Sequence, residues 1–284
     1  TCFALVTAWG LLLAFSLRYP FWPGLHAQYR GLIVHAALGL VGWFGLLVVG
    51  VSYRLVPLVH GVREASERRG LAVVGLLVAT VTAAVTGALT SARWLVRLGA
   101  AFLLPALTLY ALEIHHLLSR RRRRTPDLNV DHWWAVLAYG LALGLLGTAW
   151  ALGWPLPRHV AAVAGVLALG GWVTQAILGQ LYKVTPFLMW HYRAFIPDVL
   201  AIPNLPRLYA PRAGRFGLWA TNLGTGLVAT GVGLGAPGLA VAGAWAFAAG
   251  SLAVTWLLGY SWIPAVVHGR LRFGIRRGRA REGR

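Results

Sequence analysis

Residues 31–60, GLIVHAALGLVGWFGLLVVGVSYRLVPLVH, decide how this chain is read. The run is almost charge-free at first and carries one histidine, His35, about a turn and a half from its start. It closes on Tyr53, Arg54, Pro57 and His60. At 1.5 Å per residue it is long enough to cross the roughly 30 Å of hydrocarbon in a bilayer, so it reads as a membrane-spanning helix. A looser copy lies over residues 160–190. There Gly171-Trp172, Tyr182-Lys183 and Pro186 each stand 129 positions after Gly42-Trp43, Tyr53-Arg54 and Pro57. Three landmarks at one offset predict two related halves, each built around a Gly-Trp helix.

Composition agrees with a membrane chain. Of 284 residues, 58% are hydrophobic and 12% charged, against about 25% charged in soluble domains. Continuous apolar runs without alternation exclude a β-barrel. The formal charge of +19 would suggest nucleic acid in a soluble protein. Here arginines cluster in alternate loops, which the positive-inside rule explains, so nucleic acid is excluded as a partner and the lipid bilayer takes its place. A single cysteine, Cys2, rules out an internal disulfide and any cysteine-based metal cluster.

The expected fold is all-α, a polytopic helical membrane protein with about eight spans in two four-helix halves. Spans are expected near 2–18, 31–58, 71–90, 94–118, 133–152, 159–188, 216–234 and 238–263. The halves are 1–124 and 125–269, followed by a basic cytoplasmic tail, 270–284. Between the sixth and seventh spans, a long loop carries Arg193, Arg207, Arg212 and Arg215, with prolines at 197, 203, 206 and 211. Loops after the even-numbered spans hold the arginine clusters, which places both termini in the cytoplasm of a prokaryote, the chain crossing its inner membrane. Four spans per half make the halves parallel, related by an axis along the membrane normal.

Among ionisable groups, His35 alone sits well inside a span without a long side chain that reaches water. An intramembrane histidine is either a metal or haem ligand or a hydrogen-bonding partner of a neighbouring helix, and spacing alone leaves both open. His60, His132, His191 and His268 fall at inner helix ends among arginines, where a helix C-terminus favours imidazolium. His115-His116 immediately precedes Ser119 and five arginines, which marks a solvated helix end. Trp43 and Trp172 are expected to pack between helices, and the Tyr-Arg/Lys-x-x-Pro signature to anchor the inner ends of the second and sixth spans.

His35, Gly42-Trp43, Gly50, Ser52-Tyr53-Arg54 and Pro57 resemble the second helix of subunit I in haem–copper oxidases, and helices of the NnrS family and of short oxidase subunit I-like membrane proteins. The resemblance covers about 30 residues. It implies that His35 is an axial ligand of a b-type haem, with copper as a further candidate metal. For the opposite axial position it leaves His159, His26 or an open face suited to nitric oxide. Trp43, Tyr53 and Arg54 of the same helix are further candidates to bind the cofactor, and Arg54 with Lys183 is a candidate to hold haem propionates or a quinone head. The chain departs from the pattern at Ile33, where the family's first histidine stands. The later histidine elements of an oxygen-reducing site are missing at membrane depth.

The expectation is therefore a haem-b-binding membrane protein acting in respiratory electron transfer or in nitric oxide and metal handling. If it is an enzyme, it is a haem-dependent membrane oxidoreductase. The alternatives are a secondary transporter and a non-catalytic, quinone-binding subunit of a respiratory complex. Expected partners are other respiratory subunits or further copies of the chain. Against coupled transport, none of the seven carboxylates lies mid-membrane.

Overall fold

Apolar runs bounded by Pro, Gly and Arg become helices, and the helix boundaries follow those residues closely. A computed structural model describes residues 2–19, 25–121, 127–193 and 211–279; the side chains at 17, 25–28, 186, 189–193, 211 and 259–279 lie outside that description. Among the described residues there is no strand. Helix α1 spans Cys2–Arg18, and residues 31–60 fall in α2 (Leu25–Ala36), a π-helical segment π1 (Ala37–Gly45) and α3 (Leu46–His60), which follow one another without a break. Then come α4 (Glu67–Leu89), α5 (Arg93–Ser119) and α6 (Leu128–Ala151). The second Gly-Trp run is again tripartite: α7 (Val160–Val166), π2 (Leu167–Val173) and α8 (Thr174–Arg193). Helices α9 (Pro211–Leu234) and α10 (Pro237–Arg279) complete the chain.

Among the described residues, six stretches are long and apolar enough to cross a membrane: Tyr29–His60, Glu67–Leu89, Arg93–Ser119, Leu128–Ala151, Val160–Thr185 and Pro237–Leu258. The expected first span falls short because its apolar part is only Cys2–Ser16. The expected seventh, α9, is 24 residues long but carries Arg212, Arg215, Thr221, Asn222 and Thr225, which dilute its apolar character. Its start at Pro211 is earlier than the sequence suggests. Proline suits a first helical turn, where its missing N–H has no acceptor to lose. Helix α10 runs past the expected end near 263 into the arginine-rich tail; arginine is a good helix former. The rest of the long loop, 194–210, lies outside the described residues.

The chain divides into two compact units. The first is Thr1–Thr125 with Trp134–Val173, the second Pro126–Trp133 with Thr174–Arg284. In the first, α4 and α5 form a hairpin through small residues. A Cβ added at Gly87 would meet the Val96 nitrogen at 2.7 Å, and one at Gly99 the Thr80 carbonyl at 2.8 Å. Such close backbone approach is what small residues give helices in lipid, where hydrophobicity alone does not drive association. Ser66 caps α4, and Gly61 ends α3 in the left-handed conformation (φ 61°) with Val62 N–H reaching back to the Pro57 carbonyl. In the second unit, α9 and α10 pair in the same way, Gly243 facing the Val228 nitrogen and Gly250 the Thr221 nitrogen. Tyr182, Val254 and Leu257 form the core beside them.

Candidate functional site

His35 stands in the last turn of α2, two residues before π1, at the seam with α1. Trp9 of α1 donates its indole N–H to the Gly31 carbonyl at 2.9 Å, four residues before His35, and pins the two helices together there. The imidazole packs against Gly10: a Cβ at that position would lie 2.9 Å from His35 Cε1, so no other residue fits without moving the ring. His35 Nδ1 is enclosed and has no hydrogen-bond partner among the described residues. An enclosed polar nitrogen without a partner costs free energy unless something else binds the ring.

π1 and π2 place their tryptophans differently. Trp43 meets Phe3 of α1 with ring centroids 5.0 Å apart. Trp172 is 5% exposed and lies in a hollow formed by Gly45 of π1 and Gly140 of α6, its Nε1 unpartnered. Gly171 is covered by the Tyr139 ring, which a Cβ there would approach to 2.5 Å. π-helical turns recur at functional sites, where they re-aim side chains.

Two of the remaining candidates stand well away from His35 along the same rod. Tyr53 and Arg54 stand 18 and 19 residues further on, roughly 25 Å along the helix. The Tyr53 ring stacks on Tyr110 (6.2 Å, 19°), whose hydroxyl donates to Ser52 Oγ at 2.9 Å. Arg54 is exposed and lies 3.9 Å from the equally exposed Glu64, a solvated pair of little energetic weight. His159 is exposed at the start of α7. The side chain of His26 lies outside the described residues. Among the described residues, no group of three or more His, Cys, Asp or Glu side chains is placed to hold a metal ion. A haem held by one or two axial histidines does not need such a group.

Near the Tyr53 end, the fully buried Glu113 accepts from Ser66 N–H at 2.8 Å and from Arg69 Nη1 at 2.7 Å. The residues of this buried ion pair stand 44 positions apart, so no local pattern in the sequence marks it.

The second unit contains a polar chain that the sequence did not reveal. His132 is wholly buried in the first turns of α6, not at the C-terminal helix end that the dipole argument required. Its position beside the arginine run gave its depth along the helix but not the face it occupies. Thr221 donates its hydroxyl to the Gly217 carbonyl at 2.8 Å, so its oxygen accepts from Gln175 Nε2 at 3.0 Å. That orients the amide and turns Gln175 Oε1 to His132 Nδ1, 2.6 Å away. Nδ1 therefore carries the proton, and Nε2 is left as a lone-pair acceptor with no partner. Tyr182 stacks on the imidazole at 5.3 Å, and its hydroxyl is likewise unpartnered. Beside them Lys183 pairs with Asp127 at 2.5 Å.

No protein-family model, no curated protein and no solved structure matches this chain.

Proposed function

We propose that the chain is a haem-b-binding integral membrane protein of the inner membrane, working in respiratory electron transfer or in nitric oxide and metal handling. In this reading it has eight spans in two related four-helix halves and both termini in the cytoplasm. The observation that carries the proposal is His35: an intramembrane imidazole held against Gly10, its Nδ1 enclosed without a partner. His35 would hold the haem iron, with Trp9 and Gly10 fixing its ring by docking α1 on α2, and His159 and His26 are the candidates for a second ligand. When bound, haem would supply one-electron chemistry or an open iron face for a diatomic gas. The chain's part is to hold the imidazole and exclude water around it.

The test is a dithionite-reduced minus oxidised spectrum of the detergent-purified protein with a pyridine haemochrome assay. His35→Ala should abolish a sharp α-band, and Gly10→Ala, whose Cβ presses on Cε1, should shift or weaken it. His115→Ala, at an exposed helix end, should leave it unchanged. A colourless protein that contains neither iron nor copper would sink the proposal.

A further inference from the structure

A cavity of about 1000 Å³ opens in the first unit where α2, α5 and the α4–α5 turn meet, with Trp150 of α6 on its wall. Three guanidiniums line it: Arg30 from α2, and Arg93 and Arg97 from the start of α5. Leu32, Ile33 and Val96 add an apolar part to its wall. Leu32 and Trp150 are themselves exposed, so the cavity is open along the flank of the unit.

None of the three arginines has a carboxylate partner among the described residues. The unit's carboxylates, Glu64, Glu67 and Glu113, stand before or at the start of α4 and near the end of α5. That is the opposite end of the hairpin, about 30 Å away at 1.5 Å per residue. The segments at the cavity end, 19–30, 90–97 and 150–159, contain no acidic residue at all. Like charges brought together beside an apolar surface repel unless an anion joins them. One arginine is already positioned: Arg30 Nη1 donates to Ser91 Oγ, and Ser91 is the one non-glycine residue with positive φ (62°) among those described.

We infer that this cavity is a binding site for an acidic phospholipid. The headgroup phosphate lies among Arg30, Arg93 and Arg97, and the acyl chains run down over Leu32, Ile33 and Val96 beside Trp150. Arginine forks match phosphate oxygens, and basic pockets between membrane helices recognise anionic headgroups in this way. The site is independent of the haem proposal.

The experiment uses the full chain in non-ionic detergent and native mass spectrometry with phosphatidylglycerol or phosphatidylcholine as probe. Phosphatidylglycerol should stay bound to the wild type and phosphatidylcholine should not. Arg93→Gln/Arg97→Gln should weaken phosphatidylglycerol retention about tenfold and Arg30→Gln several-fold. These exposed or half-exposed positions leave the fold intact, checked by helicity and elution profile. Arg68→Gln, exposed at the far end of α4, should change nothing. Equal retention of the two lipids, or undiminished phosphatidylglycerol retention in the double variant, overturns the inference. So does a double variant that keeps the lipid but loses haem in the haemochrome assay, because the anion would then be a carboxylate of the cofactor.

Discussion

The His132–Gln175–Thr221 chain makes a prediction that can be worked through bond by bond. Thr221→Val keeps side-chain shape and deletes the oxygen that accepts from Gln175 Nε2. One amide N–H at a site 0% exposed then lacks a partner. In soluble proteins such an orphan costs about 1–3 kcal/mol. Hydrogen bonds between membrane helices average about 0.6 kcal/mol with a maximum near 1.7, because the unfolded chain in lipid also finds partners. The expected loss is therefore about 1 kcal/mol, read from thermal or denaturant unfolding in detergent. Gln175→Leu should cost more, since it leaves His132 with neither ring nitrogen paired. A second readout separates this account from loose packing. In the wild type, nitrogen NMR of labelled His132 should show a protonated Nδ1 and a bare Nε2. In Thr221→Val the amide is free to flip, and the two tautomers should mix. A wild-type His132 protonated on Nε2 would refute the reasoning, whatever the stability change.

Arg69→Ala leaves the Glu113 carboxylate, 2% exposed, with only the Ser66 N–H. Removing one member of a buried pair costs about 3–5 kcal/mol, and because Arg69 is 53% exposed water will lower this to about 2 kcal/mol. Glu113→Gln removes the charge and keeps an acceptor for Ser66, so it should be the milder of the two in unfolding experiments; the reverse order would discard the ion pair as an organising contact. Gly243→Val, whose Cβ would strike the Val228 nitrogen at 2.6 Å, should force α9 and α10 apart. A loss of about 1–3 kcal/mol is expected, visible as protease sensitivity of the α9–α10 hairpin. Wild-type resistance would refute the close approach.

The sequence places helices better than it places faces. Charges, prolines and glycines set the ends of α3, α4, α5 and α6 to within a few residues, because each acts locally on the backbone. Whether α9 is a span cannot be read that way, since its polar residues sit on a helix of full length. Nearness to the arginine run places His132 by depth only, and nothing local marks Glu113 as buried. The polar residues in the first turns of α6, Asn129, Asp131 and His132, share no single face that would show which side His132 takes. The partners that bury these groups, Gln175, Thr221, Ser66 and Arg69, lie 43 to 89 positions away. The convergence of Arg30, Arg93 and Arg97 is hidden for the same reason. Around His35, the Gly-Trp landmark was legible, but nothing in the residue types announced a π-helical backbone there.

That backbone has a consequence for helical phase. Within π1 and π2 the chain pairs five residues back instead of four, so each segment accommodates residues that an α-helix of the same pairing would not. Removing one residue within a π turn lets that turn close as an α-helix with the residues beyond it still near their old facing, whereas removing one from α3 itself turns everything beyond by about 100°. Ser52, Val56 and Pro57, buried on one side of α3, mark the face that such a turn would carry away from the core. The π segments are thus the places where this rod tolerates a change of length, and the α-helical stretches after them are where it does not.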